Sequence, residues 1–260
     1  MAHVIYENKV LENKIESLLT TAVDMNSYMT IDNSLAQDAG MKKVINVYTA
    51  TGNVEDLAMG EGNSETIEVS FTPVEYEVGV TQGNFAYYDE QEMTDPMVVE
   101  VGLKKVSEKM TNDLTAKAIA EFGKASLTSN YDADGMTFAN VVDAIAKLNL
   151  EDESGLFLMI NVADKAGIRK ALGEDLKYSE GFARTGYIGS VCGVPVIVSK
   201  AVPADTAFLA TKEAVTAFIK KGSEIEQERD ANLRKNDVYA RKVMLVALTD
   251  ATKVVKLVKA

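Results

Sequence analysis

At 260 residues, 47% hydrophobic and 25% charged, the chain has the makeup of a globular protein with enough apolar residues for a sizeable core. No apolar run is long enough to cross a bilayer, and the N-terminus lacks a basic region followed by a greasy one, so neither a membrane span nor a signal peptide is expected. A net charge of −12 argues against tight nucleic-acid binding, and a single cysteine excludes an internal disulfide.

The charge is unevenly placed. Between Val44 and Leu103 there are twelve Asp or Glu and no Lys or Arg, while the rest of the chain balances 27 acidic against 27 basic residues. The whole imbalance therefore sits in one quarter of the sequence.

Residues 1 to 40 are polar with scattered apolar positions (Val10, Leu11, Ile15, Leu18, Leu19). They read as a short helix near 10–20 followed by an extended arm, which buries too little apolar surface to order itself. Lys43 to Thr49 reads as a strand, and Gly52 and Gly60 to Ser64 read as turn or loop. Ile67, Val69 and Phe71, then Val74, Tyr76, Val78 and Val80, alternate with polar residues, the signature of strands with one face meant for burial. An arm of about fifteen residues per side would reach roughly 50 Å. Two strands alone are marginal in water, so this arm is expected to need a partner surface outside its own subunit.

Asp95 to Phe122 is the longest helix signal. Asp95 is a natural N-cap with Pro96 in the first helical position, and Gly123 is a stop signal. Val99, Leu103, Val106, Met110, Leu114, Ile119 and Phe122 mark the apolar side; Lys104, Lys105, Glu108, Lys109, Asn112, Asp113 and Lys117 mark the other. A helix of roughly 40 Å with one narrow apolar stripe must lie across something else. It reads as a spine.

Beyond it, Ser126 to Gly135 reads as a loop, and Thr137 opens a second helix through Phe138, Val141, Val142, Ile145 and Leu148. Leu156 to Ile160 is a buried strand, Ala163 to Leu172 a helix ended by Gly173, and Glu174 to Thr185 a polar loop. Gly186 to Ser199 is a glycine-punctuated pair of strands, and Ala207 to Ala210 is another strand. Ile225 to Lys242 is densely charged and runs into strand-like Val243 to Leu248, followed by Val254 to Val258. Alternating helices and strands point to an α/β or α+β unit.

No catalytic set assembles. His3 is the one histidine and lies at the N-terminus, so no structured Ser–His or Cys–His pair is available. Cys192 sits among small apolar residues and reads as a buried structural thiol. Asp132-Ala133-Asp134-Gly135 lacks the later ligands of a calcium loop and reads as a turn, and Gly123-Lys124-Ala125-Ser126 is not a phosphate loop. The acid pairs Glu55-Asp56 and Asp89-Glu90 read as solvated or interface charges. No catalytic, cofactor or metal residues are assigned.

Gly60-Glu61-Gly62-Asn63, Tyr87 to Pro96 and Gly193-Val194-Pro195-Val196, in this order and spacing, resemble the major capsid proteins of tailed bacteriophages. Their fold is the Hong Kong 97 type, shared with encapsulins. The resemblance covers nearly the whole chain and implies an α+β fold. It implies an N-terminal arm at 1–45, an extended β-hairpin loop at 46–83, a peripheral domain with the spine helix at 84–130 and 222–250, and an axial domain at 131–221 and 251–260. It further implies self-assembly as hexamers and pentamers into an icosahedral shell enclosing double-stranded DNA, made in the host bacterial cytoplasm. A separate scaffolding protein and a portal are implied partners; the arm-like sequence begins almost at Met1, so scaffolding is not expected in cis. The alternative with the same fold is an encapsulin-type compartment. A small α/β enzyme or binding protein is the rival from another class, and it predicts a monomer or small oligomer.

Two expectations follow for contacts between subunits. The acidic loop, through Glu65, Glu68, Glu75 and Glu77, is expected to dock on the spine lysines Lys104, Lys105, Lys109 and Lys117, or on Lys253, Lys256 and Lys259, of a neighbour. Some relatives weld subunits through a loop lysine and a neighbour's asparagine. Val44 to Leu103 contains no lysine, so a shell without covalent links is expected.

Overall fold

The computed structural model describes residues 4–7, 25–37, 39–131, 135–150, 152–171 and 189–260. The helix expected near 10–20, His3, Asp132 to Asp134, and Gly173 to Ile188 lie outside the described residues. The architecture is α+β: a five-stranded and a six-stranded sheet bridged by one long helix, with a two-stranded arm apart from both.

The six-stranded sheet is ordered β6 (Leu127–Tyr131), β13 (Val254–Lys259), β10 (Thr206–Thr211), β7 (Leu156–Asn161), β9 (Val194–Ser199) and β8 (Ser190–Val191). It is buried on both faces, which is why Leu156 to Ile160 is an unbroken apolar run rather than an alternation. Leu156, Leu158, Ile160, Leu209 and Leu257 face helices α3 (Phe138–Leu148) and α4 (Lys165–Ala171). Phe157, Met159, Phe208 and Val254 face the other way, onto Phe122, Ile119 and Ala118 of the spine and onto Met25 and Met29. Thr137 caps α3 reciprocally with Asn140, and Asn149 ends it in the left-handed conformation.

The five-stranded sheet runs β1 (Val4–Glu7), β11 (Val215–Asp230), β12 (Lys235–Leu248) and β5 (Gly79–Tyr88), with β2 (Thr30–Asp32) parallel to the start of β11. The spine, α2 (Met97–Phe122), lies across it through Leu103, Val106 and Met110, packed on Tyr87, Ile225, Val238 and Ala240. Its approach is close. Phe85 of β5 lies where a Cβ on Gly102 would be only 2.5 Å from the ring, and Val106 lies 2.9 Å from where a Cβ on Gly83 would stand. Between its two apolar ends the helix buries Ser107, Thr111 and Thr115, and the latter two hydroxyls donate back to the carbonyls of Ser107 and Thr111.

Several expectations need correction. Asp95 is the extended residue between the short helix α1 (Asp89–Thr94) and the spine, and its Oδ1 accepts from Met97 N at 3.0 Å, so it caps as expected although the regular helix begins at Met97. Gly123 ends the spine in a right-handed conformation, with tightened bonds from Lys124 and Ala125 rather than a left-handed cap. Ser126 to Gly135 is not all loop, because Leu127–Tyr131 pairs with the last strand. The charged stretch from Ile225 to Lys242 is part of a long hairpin, β11–β12, whose charges pair across strands: Arg241 holds Glu224 at 2.7 Å and Glu226 at 2.6 Å. Part of the polar N-terminal segment is ordered by its own chain, since Met25, Met29 and Leu35 are each at most 2% exposed.

Candidate assembly surfaces

The arm pairs β3 (Lys42–Thr51) with β4 (Glu68–Glu77), ten residues a side rather than fifteen. Pro73 stays within the strand, at the open edge of a two-stranded ladder where its missing N–H is tolerated. Its base is anchored. Val78, Tyr76 and Ile45 pack with Leu35, Phe218 and Leu245; Lys43 Nζ lies 4.2 Å from the centre of the Phe218 ring. Beyond the base, every residue from Glu68 to Pro73 is exposed, and Val69 and Phe71 project on one side at 63% and 60% exposure. Residues 52–67 form the loop at the tip, which displays Val54, Leu57 and Met59. Glu55 organises this loop by accepting from Ser64 N at 2.8 Å and from the Ser64 hydroxyl, and these bonds lower its pKa.

The expected contact residues divide into satisfied and free. Glu75 is bound within its own arm by Lys42 at 2.8 Å. Lys105 pairs with Glu108 at 2.8 Å, and Lys117 pairs with Asp113 and donates to the Thr81 hydroxyl, each at 2.6 Å. Lys104 and Lys109 are exposed with no ion pair among the described residues, as are Glu65, Glu68 and Glu77 on the arm. Within one chain the arm acids and the spine lysines do not meet. Of the C-terminal lysines, Lys253 is engaged by Glu213 and Lys259 by Asp205.

Asp89 and Glu90 are intrachain anchors, not free charges. Asp89 accepts from Arg229 Nη2 at 2.7 Å and Asn236 Nδ2 at 2.8 Å, and Glu90 accepts from Arg234 Nε, which ties α1 to the tip of the long hairpin. The Arg229 hydrogen bond, followed by that of Asn236, holds the Asp89 carboxyl below its ordinary pKa. Cys192 is half-buried in a turn with φ 53°, and burial raises its thiol pKa.

Two apolar surfaces were not singled out from sequence. Met93, Met97 and Val101 are 83%, 55% and 52% exposed at four-residue spacing along α1 and the start of the spine. Phe138 and Val142 stand similarly on α3. The i, i+4 signal was present in both, but periodicity does not say whether a face meets its own chain or another.

No protein-family model matches the chain. It is 25% identical to the major capsid protein of Staphylococcus phage phiMR11 over 269 aligned residues, spanning 96% of this chain and 92% of that one. Among solved structures, the capsid of a native GTA particle matches with a TM-score of 0.71 at 12% identity, covering 91% of this chain and 89% of that one. The mature capsid of bacteriophage PhiM1 matches with a TM-score of 0.68 at 13% identity, covering 91% and 86%. Two sheets bridged by a spine helix, with a hairpin arm apart from both, are thus the Hong Kong 97-like fold that these capsid proteins share. The chain is similar in sequence to a bacteriophage major capsid protein and in fold to phage capsid subunits.

Proposed function

We propose that this chain assembles as hexamers and pentamers into the icosahedral head that encloses a phage's double-stranded DNA, as a structural protein without catalysis. Residues 1–45 act as N-terminal arm, 46–83 as extended loop, 84–130 with 222–250 as peripheral domain, and 131–221 with 251–260 as axial domain. Assembly takes place in the host cytoplasm, with scaffolding and portal functions supplied by other chains. The observation that supports this most is the arm: ten-residue strands on which every residue from Glu68 to Pro73 is exposed, the apolar Val69 at 63%. A hairpin of this kind is not stable alone and is completed by neighbours. The acidic tip then lies over the spine of an adjacent subunit, where Lys104 and Lys109 form no ion pair among the described residues.

Electron microscopy of the purified protein tests the reading. Closed megadalton shells are expected, and a protein that stays monomeric under every assembly condition would refute it. Nucleic acid inside separates a phage head from an encapsulin, which would carry protein cargo. Boiled in detergent, shells without covalent links should give one band near 28.2 kDa.

A further inference from the structure

Four strands of the six-stranded sheet run the same way: β6 is parallel to β13, β7 is parallel to β9, and β10 is antiparallel to both β13 and β7. A cavity of about 180 Å³ opens at the carboxyl ends of β6, β13 and β7, beside the first turn of α4. The crevice at the carboxyl ends of such strands is where open α/β sheets hold ligands. Its apolar lining is Met136, Ile160, Ile168 and Ala207; its polar lining is Tyr131, Asp164, Asp205 and Lys259.

The polar groups are unevenly satisfied. Asp205 is engaged by Lys259 Nζ at 3.2 Å, and Asp164 uses Oδ2 to accept from Asp205 N at 3.1 Å. Asp164 Oδ1 has no partner among the described residues. Tyr131 is 5% exposed, and no described residue hydrogen-bonds its hydroxyl. That hydroxyl is held protonated, with its pKa pushed up to about 12 by burial and by the charges of Asp164 and Asp205. Two carboxylates against one ammonium leave the cavity a net negative charge. Gly167 of α4 also lines it; a Cβ there would meet nothing within 4 Å, so packing does not call for glycine at this helical position.

We propose that this cavity binds a short aliphatic diamine. The methylene chain lies against Met136, Ile160, Ile168 and Ala207, and one ammonium donates to Asp164 Oδ1 and to the Tyr131 hydroxyl oxygen. The other ammonium remains at the mouth, in water. The volume matches: it is the share of liquid taken by about six waters, close to the size of such a molecule. A divalent cation suits the site less well, because it requires six or more oxygen ligands and the lining is largely apolar. The proposal stands on the cavity and does not depend on how subunits assemble.

Equilibrium dialysis of labelled 1,4-diaminobutane against the purified protein tests it. One saturable site per chain is expected, weakened about ten- to a hundredfold by Asp164→Asn. The Asn side chain keeps an acceptor for Asp205 N. Tyr131→Phe, which removes only a hydroxyl, should also weaken binding and decides the matter if the Asp164 variant does not fold. Unlabelled 1,4-butanediol should not compete. Binding unchanged by both substitutions, competition by the diol, or non-saturable uptake on the acidic arm would each overturn the proposal.

Discussion

The six-stranded sheet and the β3–β4 arm are built from the same kind of residue and end in opposite circumstances. In the sheet, Phe157, Met159 and Phe208 are at most 3% exposed because the spine and Met29 cover them from within the same chain. On the arm, Val69 and Phe71 stay above half exposed, at 63% and 60%. Burial of a large apolar side chain contributes about 1.5–3 kcal/mol wherever the cover comes from. One region takes that contribution when the subunit folds; on the proposed reading the other takes it when subunits meet. The difference separates folding stability from assembly, and substitutions can sharpen or break it.

The largest effect on the subunit should come from Phe208→Ala. Its ring is 1% exposed and packs against Phe122 at 6.3 Å between centroids, so a loss of about 3–5 kcal/mol is expected in denaturant titration of unassembled protein. Paired replacement of Val69 and Phe71 by Asp should do the reverse, leaving subunit stability within about 0.5 kcal/mol while closed shells disappear from micrographs. Unfolding of the free subunit by that pair would show that the arm is completed within one chain and break the contrast.

Gly102→Ala probes the packing of the spine on β5 of the five-stranded sheet. The added methyl meets the Phe85 ring at 2.5 Å, and overpacking of this kind costs about 1–3 kcal/mol. Phe85→Leu in the same chain should recover most of the loss in melting temperature. Replacing Glu65, Glu68, Glu75 and Glu77 together by Lys should weaken assembly and change its salt dependence, each exposed pair contributing about 0–1 kcal/mol. Light scattering that is unchanged across ionic strength would remove the arm acids from the interface.

The smallest effect concerns acid. The Asp89 carboxyl has a lower pKa folded than unfolded, so its stabilisation is complete above the ordinary carboxylate range and fades as pH falls through the depressed value. Asp89→Asn should therefore lower stability at neutral pH and flatten its dependence on pH below about 4. An identical acid profile in the variant and the parent would mean that the Asp89–Arg229 contact does not hold the hairpin tip.

How much was legible in the sequence varied with how local the signal was. The spine could be read because Asp95, Pro96 and the recurrence from Leu103 to Phe122 are helical information carried within one segment. Leu156 to Ile160 was equally plain. Ile225 to Asp230 was not, because a charged strand looks like a solvated loop until Arg241 of its partner is placed opposite Glu224 and Glu226. Leu127–Tyr131 was missed for a related reason: its place in the sheet is set by a strand that begins 123 residues later, at Val254. Among the candidate contact residues, the acidic run was visible at once, but Lys42 neutralising Glu75 and Asp113 holding Lys117 could not be ranked without distances.

By itself, then, the order of residues determined the elements whose hydrogen bonds and periodicity close locally, and the concentration of acid in one quarter of the chain. Tertiary structure alone decided which apolar faces are covered by the same chain. Met25, Met29 and Leu35 are covered; Val69, Met93 and Met97 stay more than half exposed. The physical reason is that the hydrophobic effect responds to area removed from water and has no direction, so an apolar pattern announces that cover is needed without naming what supplies it.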